Sequence, residues 1–260
     1  MHLPLFVKSL TVGEFMTVFT YDNSKRAGAC RDFLLSSGKI GGFKMLTILP
    51  IPTTRDGVHL SGSDVTLASL LIEAEPGEIY LGYAIPEFLR DSLLDSGAIV
   101  VDASLDEKFL LENAHLTALA TLAHILSRGD VSVDCLSVGV VGYGRIGREL
   151  VRLLLSVGAE VRVFSTRRDT VLCLCSSGVD ATHVLDGDPI PTVDILVNTA
   201  PARIFNECSD VPDTMEILEL AGGNYFGEHR VTRLPSLPSR YYPETAGRIY
   251  AEALLRALGV

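Results

Sequence analysis

A strand-length apolar run that breaks into a glycine-rich turn and then a helix leaves a chain few ways to fold. Here that unit is VGVVGYGRIGREL, Val138 to Leu150. Val138–Val141 read as a buried strand, Gly142-Tyr143-Gly144-Arg145-Ile146-Gly147 as the turn, and RELVRLLLSVGAE as an amphipathic helix. Each glycine has a task in such a unit. Gly142 permits the tight turn, Gly144 lets the backbone approach a pyrophosphate, and Gly147 allows helix and strand to pack closely. The helix N-terminus then offers free N–H groups and a positive dipole end to phosphate. The spacing predicts a dinucleotide site.

The rest of the chain keeps the same rhythm. Strand-length runs FMTVFTY (15–21), MLTILP (45–50), EIYLGY (78–83) and GAIVVDA (97–103) alternate with helix-length segments such as SKRAGACRDFLLSSG and PEFLRDSLLDSG. After the fingerprint follow VRVFS (161–165), THVL (182–185), DILVN (194–198), EILEL (216–220) and RVTRL (230–234). Between the two series runs EKFLLENAHLTALATLAHILSRGD, apolar on several faces and closed by Gly129, which reads as a connector helix. The fold class expected is α/β, with two Rossmann-like doubly wound domains joined by that helix, the N-terminal one smaller. The expected boundaries are residues 1–111 for the N-terminal substrate domain, 112–129 for the connector and 130–242 for the nucleotide-binding domain. Residues 243–260, opened by Pro243, form a helix expected to return to the first domain. That domain looks shortened, because only KIGGF separates its first helix from MLTILP, and Met16 is a second candidate start.

Charge and cysteine content narrow the function classes. A net charge of −10 argues against nonspecific affinity for nucleic acid or anionic membrane, so any anion must be held by local donors. Five cysteines form no even disulfide framework and have no zinc-ligand spacing. No apolar run reaches the ~20 residues of a membrane span, and MHLPLFVKSLTVGEF lacks a signal-peptide pattern, so a cytoplasmic protein is expected. No GxSxG, HExxH or paired CxxC motif points to hydrolase or metalloprotease chemistry.

The strand after the fingerprint refines the cofactor. An NAD-preferring site places Asp or Glu at that strand end, roughly 20 residues on, for the ribose 2′-OH. This chain has Ser165, Thr166, Arg167 and Arg168 there, groups that suit a 2′-phosphate, so the expected cofactor is NADP. Asn198, Thr199, Ala200 and Pro201 follow the strand DILVN, where the crevice at the carboxyl ends of the strands receives the nicotinamide.

In the first half, Ile48 to Gly57 reads ILPIPTTRDG. Followed in order by VGYGRIG, STRR, NTAPA and Pro243-Glu244-Thr245-Ala246-Gly247, it resembles the NADP-dependent subunit of dipicolinate synthase from about residue 45 to the C-terminus. The resemblance implies NADP-dependent oxidation of dihydrodipicolinate to dipicolinate, in the mother-cell cytoplasm of a sporulating bacterium. It also implies a small dicarboxylate substrate and a second, flavoprotein subunit; further copies of this chain are expected as partners, nucleic acid and membrane are not. Pro50, Pro52, Arg55, Asp56, Thr245 and Ala246 are the expected substrate-binding residues, with Arg55 gripping a carboxylate. Arg55, Asp56 and His59 are the catalytic candidates: Asp56 orients Arg55, pairs with it in a loop salt bridge or caps a helix, and His59 is the general acid. No metal is expected.

Three departures touch the cleft side. Ala118-Leu119-Ala120 replaces an Ala-Glu-Gly segment, Ala221-Gly222-Gly223 shortens an SKPGG stretch, and Ser236-Leu237-Pro238-Ser239 replaces a GLPG loop. These leave open a non-catalytic NADP-binding subunit that works through a partner. A D-2-hydroxyacid dehydrogenase-like enzyme shares the two-domain plan. Against it, Leu220-Ala221-Gly222-Gly223 offers no Arg, and no His lies between His229 and the C-terminus.

Overall fold

The computed structural model describes residues 10–12, 16–40, 43–129, 131–185, 192–201, 215–221 and 231–260. The chain forms two compact units: the residues up to Asn113 together with Pro238–Val260, and Ala114–Leu237.

The first unit is a sheet in the order β1-β2-β3-β4-β5, built from Leu10–Val12, Met16–Thr20, Met45–Ile48, Ile79–Gly82 and Ile99–Asp102. β2 to β5 run parallel, with β1 antiparallel on the outer edge of β2. The connections carry α1 (Lys25–Ser37), α2 (Leu67–Glu73) and α3 (Glu87–Asp95). Ser24 opens α1 by accepting a hydrogen bond from the Ala27 N–H at 3.2 Å. Thr66 opens α2 through the Ser69 N–H at 3.0 Å. Leu67, Leu70, Leu89 and Leu93 from α2 and α3 bury against Tyr80 and Leu49.

The C-terminal helix α8 (Pro243–Leu258) belongs to this unit and lies along α1. Its approach requires Gly247. A Cβ there would stand 2.6 Å from Ala29 Cβ and 2.6 Å from Cys30 N. The glycine of PETAG therefore serves helix–helix contact.

In the second unit all six strands are parallel, in the order β11-β10-β9-β6-β7-β8. They comprise β6 Ser137–Val141, β7 Glu160–Ser165, β8 Asp180–His183, β9 Ile195–Asn198, β10 Glu216–Glu219 and β11 Val231–Arg233. The chain winds outward from β6 to β8, then returns to lay β9 on the other side of β6. That reversal makes the carboxyl ends of β6 and β9 a topological switch point, where doubly wound sheets bind ligands. α5 (Arg145–Ser156) buries Leu150, Val151, Leu153 and Leu154 and leaves Arg148 and Arg152 in solvent. Val141, Phe164, Val184, Leu196 and Ile217 form a common core cluster.

α4 (Glu107–Leu126) carries the chain from the first unit into the second. Contrary to the sequence expectation, its 20 residues and mean hydropathy of 1.2 meet the length and composition of a membrane span. Half of that stretch is buried, with Ala118, Ala120 and Thr121 fully so, which is the pattern of a core helix in a folded domain. Three elements, β1, α2 and the short helix α7 (Leu237–Tyr241), have no counterpart in the sequence reading.

Candidate functional site

In the second unit the fingerprint forms the turn between β6 and α5. Gly142 sits at φ 89°, a left-handed conformation that side chains resist. A Cβ at Gly147 would lie 2.2 Å from the Gly142 carbonyl oxygen, so no larger residue fits. Gly144 differs: nothing lies within 4 Å of where its Cβ would be. It caps α5 in an extended conformation without a side-chain hydrogen bond, so the positive end of the helix dipole meets that open space. Open space over Gly144 beside a helix N-terminus is what a pyrophosphate requires. Arg148 leans back over this turn, its guanidinium 5.6 Å from the Tyr143 ring centroid and its Nε donating to the Tyr143 carbonyl at 3.3 Å. Arg145 and Ile146 form the first turn of the helix.

The segment after β9 closes on the same turn. The Thr199 hydroxyl donates to the Val141 carbonyl at 2.8 Å, and Thr199 and Ala200 would flank a Cβ at Gly142 at 3.1 Å. Asn198 is buried, and its side-chain oxygen accepts from the Ala200 N–H at 3.0 Å. Pro201 is exposed at the end of this turn.

A residue absent from the sequence reading organises this wall. Glu219, at the end of β10 and 3% exposed, accepts from the Asn198 side-chain amide at 2.8 Å and from the Ala221 N–H at 2.7 Å. One buried carboxylate thereby ties the ends of β9 and β10 together. Its only sequence signal is an acidic residue closing an otherwise apolar strand, EILEL.

At the end of β7, Ser165 is buried and its hydroxyl accepts from the Arg167 N–H at 3.1 Å. Thr166, Arg167 and Arg168 project into solvent, and neither arginine forms an ion pair among the described residues. His183, at the end of β8, lies 3.2 Å from the Thr166 carbonyl and joins the same rim. α6 (Arg168–Ser176) starts here with no side-chain cap.

In the first unit the ILPIPTTRDG loop leaves the carboxyl end of β3. Thr53 is fully buried and pins the loop to the end of β4: its hydroxyl accepts from the Tyr83 N–H at 3.1 Å, and its own N–H donates to the Tyr83 carbonyl. Pro50 is buried and Pro52 half-buried, while Arg55 and Asp56 stand exposed. The expected Arg55–Asp56 pairing is not formed, nor does Asp56 cap a helix. Its carboxylate accepts instead from the Val58 and His59 N–H groups and, through Oδ2, from the His59 ring Nδ1 at 2.8 Å. The reason is local: an Asp at a turn meets amides two and three residues on before it meets its neighbour's long side chain. The His59 N–H, the imidazole and the Val58 N–H hold the Asp56 carboxyl well below the usual carboxylate range. Asp56 therefore stays ionised and turns the Nε2 of His59 outward. Thr245 and Ala246 lie on the first turn of α8, with Ala246 buried. His115 pairs with Glu149 at 3.0 Å.

Fold and site together define a class: a two-domain α/β protein of dehydrogenase-like fold whose second unit is Rossmann-type. No protein-family model matches the chain. The A subunit of dipicolinate synthase from Bacillus subtilis (strain 168) is 26% identical over 228 residues, covering 81% of this chain and 76% of that protein. The crystal structure of the corresponding dipicolinate synthase subunit from Bacillus halodurans superposes with a TM-score of 0.72 at 19% identity, over 95% of this chain and 98% of that one. The transhydrogenase from Sinorhizobium meliloti gives 0.61 at 14% identity, over 94% and 93% of the two chains. The chain is thus similar to the A subunit of dipicolinate synthase over most of its length, as its motifs led one to expect.

Proposed function

We propose that this chain is an NADP-dependent oxidoreductase of the dipicolinate synthase type, oxidising dihydrodipicolinate to dipicolinate. The observation that carries the reading is the second unit's turn: a glycine-only approach at Gly147, open space over Gly144 and an uncapped helix N-terminus. Similarity to the A subunit of dipicolinate synthase over most of the chain supports the choice of substrate.

In this reading the amides of Arg145 and Ile146 hold the pyrophosphate, Thr166, Arg167 and Arg168 hold the 2′-phosphate, and Asn198 to Pro201 wall the nicotinamide side. The bound nicotinamide supplies a hydride acceptor. Aromatising the dihydropyridine ring takes away one hydride and one proton. The residues to receive the proton are those of the Asp56–His59 pair: with Nδ1 held by Asp56, the imidazole presents Nε2, as the base of the oxidative direction rather than the general acid expected from the sequence. Arg55, exposed and unpaired among the described residues, binds one carboxylate, with Pro50, Pro52, Thr245 and Ala246 shaping its surroundings. The setting this substrate implies is the mother-cell cytoplasm of a sporulating bacterium, with a flavoprotein as second subunit, and with further copies of the chain as a homo-oligomer. A second reading, nucleotide binding without turnover, draws on Ala118-Leu119-Ala120, where Ala118 and Ala120 are fully buried and no carboxylate is present.

Turnover separates the readings. The full chain, mixed with NADP+ and freshly generated dihydrodipicolinate, is expected to form NADPH, with or without a flavoprotein partner. NADP+ binding without turnover in either case contradicts the proposal and leaves the non-catalytic role; oxidation of a simple 2-hydroxy acid instead favours a D-2-hydroxyacid dehydrogenase-like enzyme.

A further inference from the structure

The first unit holds a buried cation that no role above uses. Arg26, the second residue of α1, is 5% exposed, and its Nε is buried without a hydrogen-bond partner. No ion pair reaches it among the described residues. The groups around it are Tyr250, Asp22, Cys30 and Tyr83. Asp22 is the one carboxylate, and both its oxygens are spent on Ser24: Oδ1 accepts from the Ser24 N–H and Oδ2 from its hydroxyl, each at 2.7 Å. The Tyr250 hydroxyl donates to the Leu49 and Leu81 carbonyls at 3.3 Å. Burial pushes both the Tyr250 hydroxyl and the Cys30 thiol up, so neither supplies a counter-charge. A desolvated guanidinium whose Nε has no partner, and whose one neighbouring carboxylate is hydrogen-bonded to Ser24 instead, is an acceptor site for an anion.

The backbone agrees. Of the amides at the start of α1, Ala27 N–H is taken by the Ser24 hydroxyl and Gly28 N–H by the Ser24 carbonyl. The amides of Lys25 and Arg26 remain, at the positive end of a 13-residue helix. The parallel order of β2 to β5 puts this helix start at the same end of the sheet as the Arg55 loop, which follows β3, and Tyr83, which follows β4.

We propose that Arg26, with the free amides at the start of α1, binds one carboxylate of a small dicarboxylic substrate, the second beside that assigned to Arg55. This rests on the reading of the first unit as the substrate unit. A forked guanidinium suits a planar carboxylate, which it meets through two parallel hydrogen bonds.

The test is calorimetric binding of dipicolinate, picolinate and inorganic phosphate to the full chain, with NADP+ titrated separately. Wild type is expected to bind dipicolinate more tightly than either picolinate or phosphate. Arg26→Met is expected to weaken dipicolinate by at least about 30-fold and leave NADP+ affinity unchanged; Arg26→Lys falls between. Hydrogen exchange on the wild type needs no variant and guards against misfolding: dipicolinate should protect the Lys25 and Arg26 amides. Unchanged dipicolinate affinity in Arg26→Met, tighter phosphate binding, or protection confined to other segments overturns the assignment. Loss of NADP+ binding or turnover by the wild type is a separate failure, of the dehydrogenase reading.

Discussion

Replacing Gly147 by alanine is expected to destabilise the second unit and abolish dinucleotide binding, whereas the same change at Gly144 should affect binding alone. The added methyl at Gly147 meets the Gly142 carbonyl oxygen at 2.2 Å and carbon at 3.1 Å. Both are backbone atoms of a turn that the Gly142 N–H fastens to the Phe164 carbonyl at 2.9 Å, so the clash is relieved only by moving α5 away from β6. Overpacking of this kind costs about 2–3 kcal/mol, or roughly 5–10 °C in melting temperature for a unit of this size. Gly144 has φ −81° and nothing within 4 Å of its Cβ position. Alanine there costs at most about 1 kcal/mol as a poorer helix cap, but its methyl enters the space assigned to the pyrophosphate. Thermal melts and calorimetry on the two variants give the comparison. Equal melting temperatures for both, or undiminished nucleotide affinity in Gly144→Ala, would contradict the assignment.

The second large effect concerns cofactor choice. Arg167 and Arg168 stand exposed at the end of β7, on a backbone held by the Ser165 hydroxyl. Charge-assisted hydrogen bonds are worth about 1.5–3 kcal/mol each, so replacing both arginines by alanine should weaken NADP+ by at least about 100-fold. NAD+ lacks the 2′-phosphate and should change by less than about threefold. Equal losses for the two nucleotides would mean that the arginines serve the turn or the general field of the site.

How much of this was legible in the sequence depends on the range of the interaction. The fingerprint is local: strand, turn and helix start lie within thirteen consecutive residues, and the structure forms strand and helix over Ser137–Val141 and Arg145–Ser156 as the spacing requires. β1 was hidden because three residues carry no periodicity, and only antiparallel pairing with β2 makes them a strand. α2 follows a Thr66 cap but is only seven residues long and buries two of them, too few for a helical pattern to show. The Asn198–Glu219 bond joins residues 21 apart through neighbouring strands, and no spacing rule foretells it. Arg26 is one of two adjacent cations in SKRAG, a pattern that carries no local sign of burial. Its burial involves α8, more than 200 residues later, which draws close to α1 through Gly247. The Arg55–Asp56 expectation went wrong for the opposite reason. Adjacent charges looked like partners, but the turn brought the His59 amide and ring to Asp56 instead. Ser236, where the resemblance led one to expect a glycine, holds a left-handed φ of 55°.

The central claim is that the second unit is an NADP site, and titration of the unmodified full chain with NADP+ and NAD+ addresses it most directly. The account predicts that NADP+ binds at least about tenfold more tightly. Equal affinities, a preference for NAD+, or no binding of either nucleotide would contradict it.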